Sequence, residues 1–438
     1  MKVDQTREAV TMKVAEKRRW KILLVAGATM ALMAGMVSTV PSAYAGGTIK
    51  ADDDKWISVG MGIRTSFSSV EDAAPDGDWS KGFAIDNARI YINGKIHKYV
   101  GFEFNTDCFN CQSSANNLTV VTPTGVTNLG RQGTVGLLDA IGKFEFNQYV
   151  NIWVGRMLVT GERGELNGPF YHATYEGFKT PTNPQDFGSG FGAGGSGLYG
   201  RDNGVTFWGQ VGQLQYSAQV MSGLRGAANQ SDNLLYAGRL TYNLFNPEKN
   251  PGYYTSGTYY GTAGHILAIA AGVNHQKDGA GSAAFRSDYT ILVTDALWEL
   301  PLGANMGGGV ITVNAEFKKY WAGYDNAAFP VAGSGTLCMC MFRGESYTAY
   351  ALYLFPNEVG IGKFQPYARF TYIEPDTSFR RDEVEFGTNY IISGHNARIS
   401  AFYQYGNLNN GGGPFATYSP SPEPEKINAF KLALQLQY

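Results

Sequence analysis

Apolar and polar residues alternate along most of this chain, in segments of about ten residues. In the segment at 55–67, Ile57, Met61 and Phe67 fall on one face, whereas Ser58 and Arg64 fall on the other. A period of two places successive side chains on opposite faces of a β-strand. The pattern predicts about 16 strands, near 55–67, 83–97, 102–107, 135–147, 150–159, 203–211, 214–222, 235–245, 265–275, 288–300, 308–320, 345–355, 363–373, 383–393, 395–405 and 427–438.

Each predicted strand has one apolar face and one face of charged residues, Asn, Gln and Gly. A soluble barrel would show the reverse arrangement, with its large apolar residues packed inward. About ten residues is the length that a tilted strand needs to cross a bilayer. The 56 Gly, 27 Tyr and 25 Phe suit tight turns and membrane–water interfaces. We therefore predict an all-β fold, a transmembrane antiparallel β-barrel of about 16 strands, with 14 and 18 as open alternatives.

The connections between predicted strands alternate in length. Short turns are predicted near 97–99, 147–150, 211–214 and 393–395, and long loops near 68–82, 107–134, 160–202, 321–344 and 406–426. Outer-membrane barrels have short periplasmic turns and long extracellular loops. Residues 246–264 depart from this rule, because they would form an unusually long periplasmic turn.

The last strand ends the chain on an aromatic residue. Its apolar face consists of Phe430, Leu432, Leu434, Leu436 and Tyr438. This ending resembles the closing strand that bacterial outer-membrane barrels present to their assembly machinery, and the five residues are the candidate assembly signal. The alternative is an ordinary sandwich strand.

The first 45 residues have the pattern of a secretory signal. Basic residues precede an apolar run at 22–40, and Ala43-Tyr44-Ala45 supplies a cleavage pattern. We predict a cleaved signal peptide at 1–45 and a barrel domain at 46–438; the alternative for the apolar run is a membrane anchor.

The net charge of the predicted mature chain is slightly acidic. The signal holds 7 of the 35 basic and 3 of the 37 acidic residues, so the mature net charge is −6. That balance argues against a nucleic-acid partner.

Several motifs resemble one porin family. Arg201, Gly204 and Gly209 followed by Tyr216 and Ser217 are similar to the R-x-x-G-x-x-x-x-G…YS hairpin of the phosphate-selective porin O/P family. Further similar stretches lie at 152–165, 236–242 and 387–398. The resemblance covers most of the mature chain, and it implies a 16-stranded barrel in the bacterial outer membrane. It also implies a homotrimer with the third outer loop folded into the lumen.

The resemblance does not identify the transported solute. Phosphate-selective members of the family have many basic residues in the channel. The third loop here, 160–200, has a net charge near −2. We predict a porin for passive diffusion of small polar or charged solutes and ions, with outer-membrane lipid around it. Arg163 and Glu165 are the candidate pore-constriction residues. The alternation along the strands predicts nine charged side chains that face the lumen: Arg89, Lys95, Glu103, Arg239, Glu316, Lys318, Arg369, Glu385 and Arg398. Alternatively, such side chains pair with one another across the wall.

Four cysteines lie in two long loops predicted to be extracellular. They are Cys108, Cys111, Cys338 and Cys340. In an exported protein this favours disulfides, with three connectivities open. A Cys-x-Cys bridge would be strained, so pairing between the two loops is attractive. A four-cysteine metal site is the alternative.

The sequence gives little support for an enzyme. The five histidines have no metal-ligand spacing, and no cofactor or metal is predicted. The one assembled hydrolase constellation is His172, Glu165 and Ser189, whose spacing has no particular meaning. The Gly-rich run at 192–197 lacks the Gly-Lys-Ser/Thr of a phosphate-binding loop.

A third functional class, besides the porin and the hydrolase, is a structural or adhesive barrel whose pore is plugged by the third loop.

Overall fold

The computed structural model describes residues 46–109, 117–122, 125–130, 134–180, 200–225, 228–249, 254–281, 283–322, 343–376, 379–408 and 425–438. Its strands are β1 (Gly47–Asp52), β2 (Lys55–Val70), β3 (Ser80–His97), β4 (Val100–Phe109), β5 (Asn117–Thr122), β6 (Gly125–Gly130), β7 (Thr134–Glu145), β8 (Asn151–Leu158), β9 (Arg201–Val211), β10 (Leu214–Met221), β11 (Leu235–Asn243), β12 (Ile266–Gly281), β13 (Arg286–Pro301), β14 (Val310–Ala322), β15 (Gly344–Leu354), β16 (Lys363–Pro375), β17 (Arg381–Ser393), β18 (Ala397–Gly406) and β19 (Ile427–Gln437).

Sixteen of these strands form a closed antiparallel ring. Each of β2–β4 and β7–β19 pairs with its neighbours in chain order, and β19 pairs back onto β2. Met61 and Tyr438 close the ring with reciprocal backbone hydrogen bonds of 2.8 Å each. The predicted all-β barrel and its number of strands are therefore confirmed.

The two faces of the wall differ as the alternation predicts. Along β11, the side chains of Tyr236, Leu240 and Tyr242 are all more than half exposed, whereas Arg239 and Thr241 are buried. Exposed apolar side chains recur around the outer face, and the buried inner face carries many polar and charged side chains together with apolar clusters such as Ile291 and Val293. A closed ring leaves no unpaired strand edge in lipid. This arrangement is that of an outer-membrane barrel, as predicted from the sequence.

Aromatic pairs lie on the wall near both rims. Tyr353 with Phe355 and Phe364 with Tyr390 lie near one rim, with ring centroids 5.1 Å apart in each pair. Tyr403 packs against Phe430 toward the other rim, with ring centroids 5.0 Å apart and ring planes tilted by 43°. Such rings suit the membrane–water interface. Within the described residues, no helix is long and apolar enough to cross a membrane.

The sequence did not predict every element. β1 forms a hairpin with the start of β2, and β5 pairs with β6 inside the long connection between β4 and β7. The long connection after β8 contains the short helices Arg163–Leu166 and Gly168–Tyr171, and a 3-10 turn lies at Ala304–Met306. The predicted signal peptide at 1–45 lies outside the described residues, so the division at residue 45 stays a prediction.

Candidate functional site

The loop segment, residues 159–180, packs against the inner face of the wall. Its carbonyl oxygens accept hydrogen bonds from polar side chains of the strands. The clearest contacts join Arg369 Nη1 to Gly177 O at 2.6 Å, Thr371 Oγ1 to Phe178 O at 2.8 Å and Arg398 Nη1 to His172 O at 2.6 Å. Backbone groups buried inside the protein need such partners, because an unpaired buried group costs about as much free energy as a lost hydrogen bond. The inward polar side chains of β16 and β18 therefore position this segment.

Arg163 lies at the centre of a buried ion-pair network. Its Nη1 and Nη2 donate to the two carboxylate oxygens of Glu248 at 3.0 and 2.5 Å, and its Nε donates to Asp295 at 2.8 Å. Asp295 also accepts two hydrogen bonds from Arg239, at 2.5 and 2.8 Å. The Arg163 side chain is fully buried. A bidentate guanidinium–carboxylate pair fixes orientation as well as position.

Two further carboxylates of the loop segment surround Lys318. Glu162 is ion-paired with Lys318 on β14. Burial, and then the neighbouring Glu165 carboxylate, raise the pKa of Glu162 well above its ordinary range against the effect of Lys318. Gly200 lies directly against the Glu165 carboxylate and has a φ of +68°. A Cβ at position 200 would lie 1.6 Å from Glu165 Oε2. Residue 200 must therefore be glycine for Glu165 to occupy this place.

The far end of the loop segment carries a second charged cluster. Lys179 contacts Glu383 at 2.7 Å and Glu176 at 3.1 Å, and Arg369 contacts Glu383 at 2.7 Å and Glu385 at 2.6 Å. Lys431 also pairs with Glu176. Burial alone would raise the pKa of Glu176, but these cations hold it well below its ordinary range. The cluster balances its own charge with protein side chains.

A second segment enters the lumen from the short-turn rim. This turn segment, residues 246–249 and 254–264, belongs to the connection from β11 to β12. Tyr254 Oη donates to Glu103 at 2.8 Å, and Thr258 Oγ1 donates to Glu299 at 2.7 Å. Gly257 N donates to the Tyr171 carbonyl of the loop segment at 2.9 Å. The long turn noted in the sequence is therefore a second segment inside the barrel.

His395, in the turn between β17 and β18, contacts the turn segment. Its Nε2 lies 2.9 Å from Thr258 O and 3.1 Å from Ser256 Oγ, and its ring centroid is 4.8 Å from that of Tyr260. Burial, and then the charge of Arg398, lower the pKa of His395 to about 4. The imidazole is therefore neutral at pH 7.

Acid is expected to loosen the turn segment through His395. An imidazole with a lowered pKa contributes stability that is complete above about pH 6.5 and is lost as the pH falls to about 4. Because the side chain is partly exposed, we expect a loss of about 2 kcal/mol. Current noise in planar-bilayer recordings should rise over this interval in the wild type and less in His395→Gln. Identical pH profiles for the two proteins would contradict this role.

Eight of the nine charged residues predicted to face the lumen have buried side chains. These are Arg89, Glu103, Arg239, Glu316, Lys318, Arg369, Glu385 and Arg398. Lys95 is half-buried near the short-turn rim, where its Nζ lies 3.4 Å from Lys98 O. Several pair with each other or with neighbours, as in Arg89–Asp107 at 2.7 Å and Lys143–Glu103. Pairing across the wall, one of the two alternatives, thus occurs at several of these positions.

Two predictions extend beyond the described residues. Cys108 is disulfide-bonded, but Cys111, Cys338 and Cys340 lie outside the described ranges, so the pairing pattern stays a prediction. Ser189 of the hydrolase constellation also lies outside them. His172 Nε2 lies 3.0 Å from the Gly164 carbonyl. The hydrolase hypothesis therefore gains no support from the described residues.

Sequence reasoning missed the partners that hold the two segments. Glu248, Asp295 and Glu299 were not singled out. Strand parity would have placed Asp295 and Glu299 on the inner face of β13, and the acidic Glu248 lies in the turn already noted as too long. Strand parity and the length of the turn could therefore have pointed to these three carboxylates, but neither indicates which cation each of them pairs with.

Comparison with known proteins supports the fold. No protein-family model matches the chain, and no curated protein matches its sequence. An anion-selective porin from Comamonas acidovorans has a similar structure, with a TM-score of 0.51 at 12% identity over 88% of this chain and 100% of that one. The chain is an outer-membrane-type β-barrel.

Two other solved structures show the same fold. The outer membrane channel DcaP of Acinetobacter baumannii has a TM-score of 0.50 at 10% identity, over 90% of this chain and 100% of that one. OprB of Pseudomonas putida at high pH has a TM-score of 0.50 at 9% identity, over 87% of this chain and 94% of that one. These similarities place the barrel among porin-like folds, but they do not confirm the narrower phosphate-selective O/P resemblance.

Proposed function

We propose that this chain is an outer-membrane porin that lets small polar or charged solutes and ions diffuse passively through its lumen. One observation carries the proposal: a wall that is apolar outside is lined inside by buried charges, and a charged loop segment is anchored to that lining. Fixed charges beside a water-filled path set its ion preference.

The constriction is proposed to lie where the loop segment meets β13 and β14. Arg163 fixes the segment there through Glu248 and Asp295, while Glu165 lies beside Glu162 and Lys318. In this arrangement Arg163 is a positioning residue, and Glu165 contributes to the local potential. The charges are mixed in sign, which favours modest ion selectivity over a dedicated phosphate path. A homotrimer is proposed on the family resemblance alone.

Single-channel recording under a salt gradient tests this function. We expect a stable conductance with modest selectivity and no block when phosphate is added. Saturating anion-selective currents blocked by phosphate would instead indicate a phosphate channel.

A plugged structural barrel is the second candidate, because two segments rather than one enter the lumen. Complete absence of current from folded protein would favour this candidate.

A further inference from the structure

The turn segment crosses the whole lumen. At Tyr254 it reaches one side of the wall, where the hydroxyl donates to Glu103 on β4 and the ring lies 5.8 Å from that of Trp153 on β8. Four residues later, Thr258 reaches Glu299 on β13 at 2.7 Å and Thr312 on β14 at 3.4 Å. β4 and β14 are eight strands apart in the ring of sixteen. They therefore lie on opposite sides of the barrel.

Other connections at the same rim do not need this length. Residues 98–99 join β3 to β4, 212–213 join β9 to β10, and 394–396 join β17 to β18. Backbone pairing between β11 and β12 continues to Asn246, whose N–H donates to His265 O at 3.0 Å. A two-residue hairpin could close the two strands at that point. The intervening residues are therefore not required to join the strands.

The turn segment also supports the loop segment. Glu248 holds Arg163 through two hydrogen bonds, and Thr255 Oγ1 donates to Asn167. At Gly257 the two backbones approach so closely that a Cβ would lie 2.5 Å from Ala173 N. A side chain at position 257 would force the two segments apart.

We propose that the turn segment, residues 246–249 and 254–264, forms a second constriction that crosses the lumen from the periplasmic end and fixes the position of the loop segment. The proposal rests on the proposed porin function, and it assigns positioning roles to Glu248 and Gly257. Solutes then pass two stacked segments rather than one loop, and the width of the path depends on both.

Replacing residues 247–264 with Asn-Gly tests the proposal. The variant keeps the Asn246–His265 pairing and removes the crossing chain. We expect its single-channel conductance to rise by roughly twofold or more, because the path through the lumen widens. The second variant, Gly257→Val, keeps the segment but separates it from Ala173; we expect altered conductance and more frequent closures. Gly47→Val is the matched control, because a Cβ there meets no atom within 4 Å.

The outcomes separate this proposal from the porin function. If the wild type conducts and folded turn-replacement protein conducts equally, the second constriction is wrong and the porin function stands. If only the replacement conducts, the segment closes the lumen and the open porin is wrong. If neither folded protein conducts, both the second constriction and the porin function are wrong. If the replacement does not fold, an unchanged Gly257→Val channel overturns the constriction.

Discussion

Replacing Arg163 with alanine is expected to release the loop segment and make the channel unstable. The substitution leaves Glu248 and Asp295 without the guanidinium that both now face. Breaking a buried ion pair by removing one partner costs about 3–5 kcal/mol. Arg239 still faces Asp295, so the greater loss falls on Glu248 and the contact between the two segments. The strand pairing of the wall is untouched, so the barrel itself should still form.

Planar-bilayer recording measures both consequences. We expect frequent transitions between conductance levels, and a reversal potential shifted toward cation selectivity because one fixed positive charge is lost. Arg163→Lys should rescue the charge but only part of the stability, since an ammonium cannot form the same bidentate pair.

The matched control is Arg343→Ala. Arg343 pairs with Asp376 at 3.3 Å near the long-loop rim, and its side chain is 47% exposed. An exposed pair contributes little, so this variant should conduct as the wild type does. Wild-type currents from Arg163→Ala would show that the network does not position the loop segment.

The strands could be predicted because lipid and lumen impose opposite demands on alternate residues. Along β19, Phe430, Leu432 and Leu436 are exposed on the outer face, while Gln435 and Gln437 are buried on the inner one. That demand is local and repeats every two residues, so the sequence displays it directly. β1 was missed because all six of its residues are exposed.

The site could be predicted only as a set of charges, because its partners are distant in the chain. Arg163 and Glu248 are 85 residues apart, and Lys179 and Glu383 are 204 apart. The alternation along each strand indicates that Glu316 and Arg369 both face inward. Which partner each one binds depends on how two irregular segments fold inside the ring. Their backbone groups are satisfied one by one by wall side chains, which leaves no periodic signal.

Deleting residues 436–438 is expected to prevent formation of the barrel. The deletion removes the pairing of Leu436 and Gln437 with β2 and the two backbone hydrogen bonds between Tyr438 and Met61. Each unpaired backbone group in lipid costs several kcal/mol, whereas a tenfold change in the folded fraction needs only about 1.4 kcal/mol. We therefore expect folded barrel, measured by its heat-modifiable migration in gels, to fall by at least roughly tenfold in detergent refolding. Deleting residues 73–75, which lie in the loop between β2 and β3 and outside the strand pairing of the ring, is the control for chain shortening.

Tyr438→Ala separates the stability of closure from recognition of the C-terminus. This substitution keeps the backbone hydrogen bonds to Met61 and removes a ring that is 68% exposed. Refolding in detergent should therefore match the wild type. If Phe430, Leu432, Leu434, Leu436 and Tyr438 form an assembly signal, the same variant should accumulate unfolded in cells, and Tyr438→Phe should restore assembly. Equal assembly of the alanine variant and the wild type in cells would show that the terminal ring has no role in recognition, because the closure hydrogen bonds are identical in both.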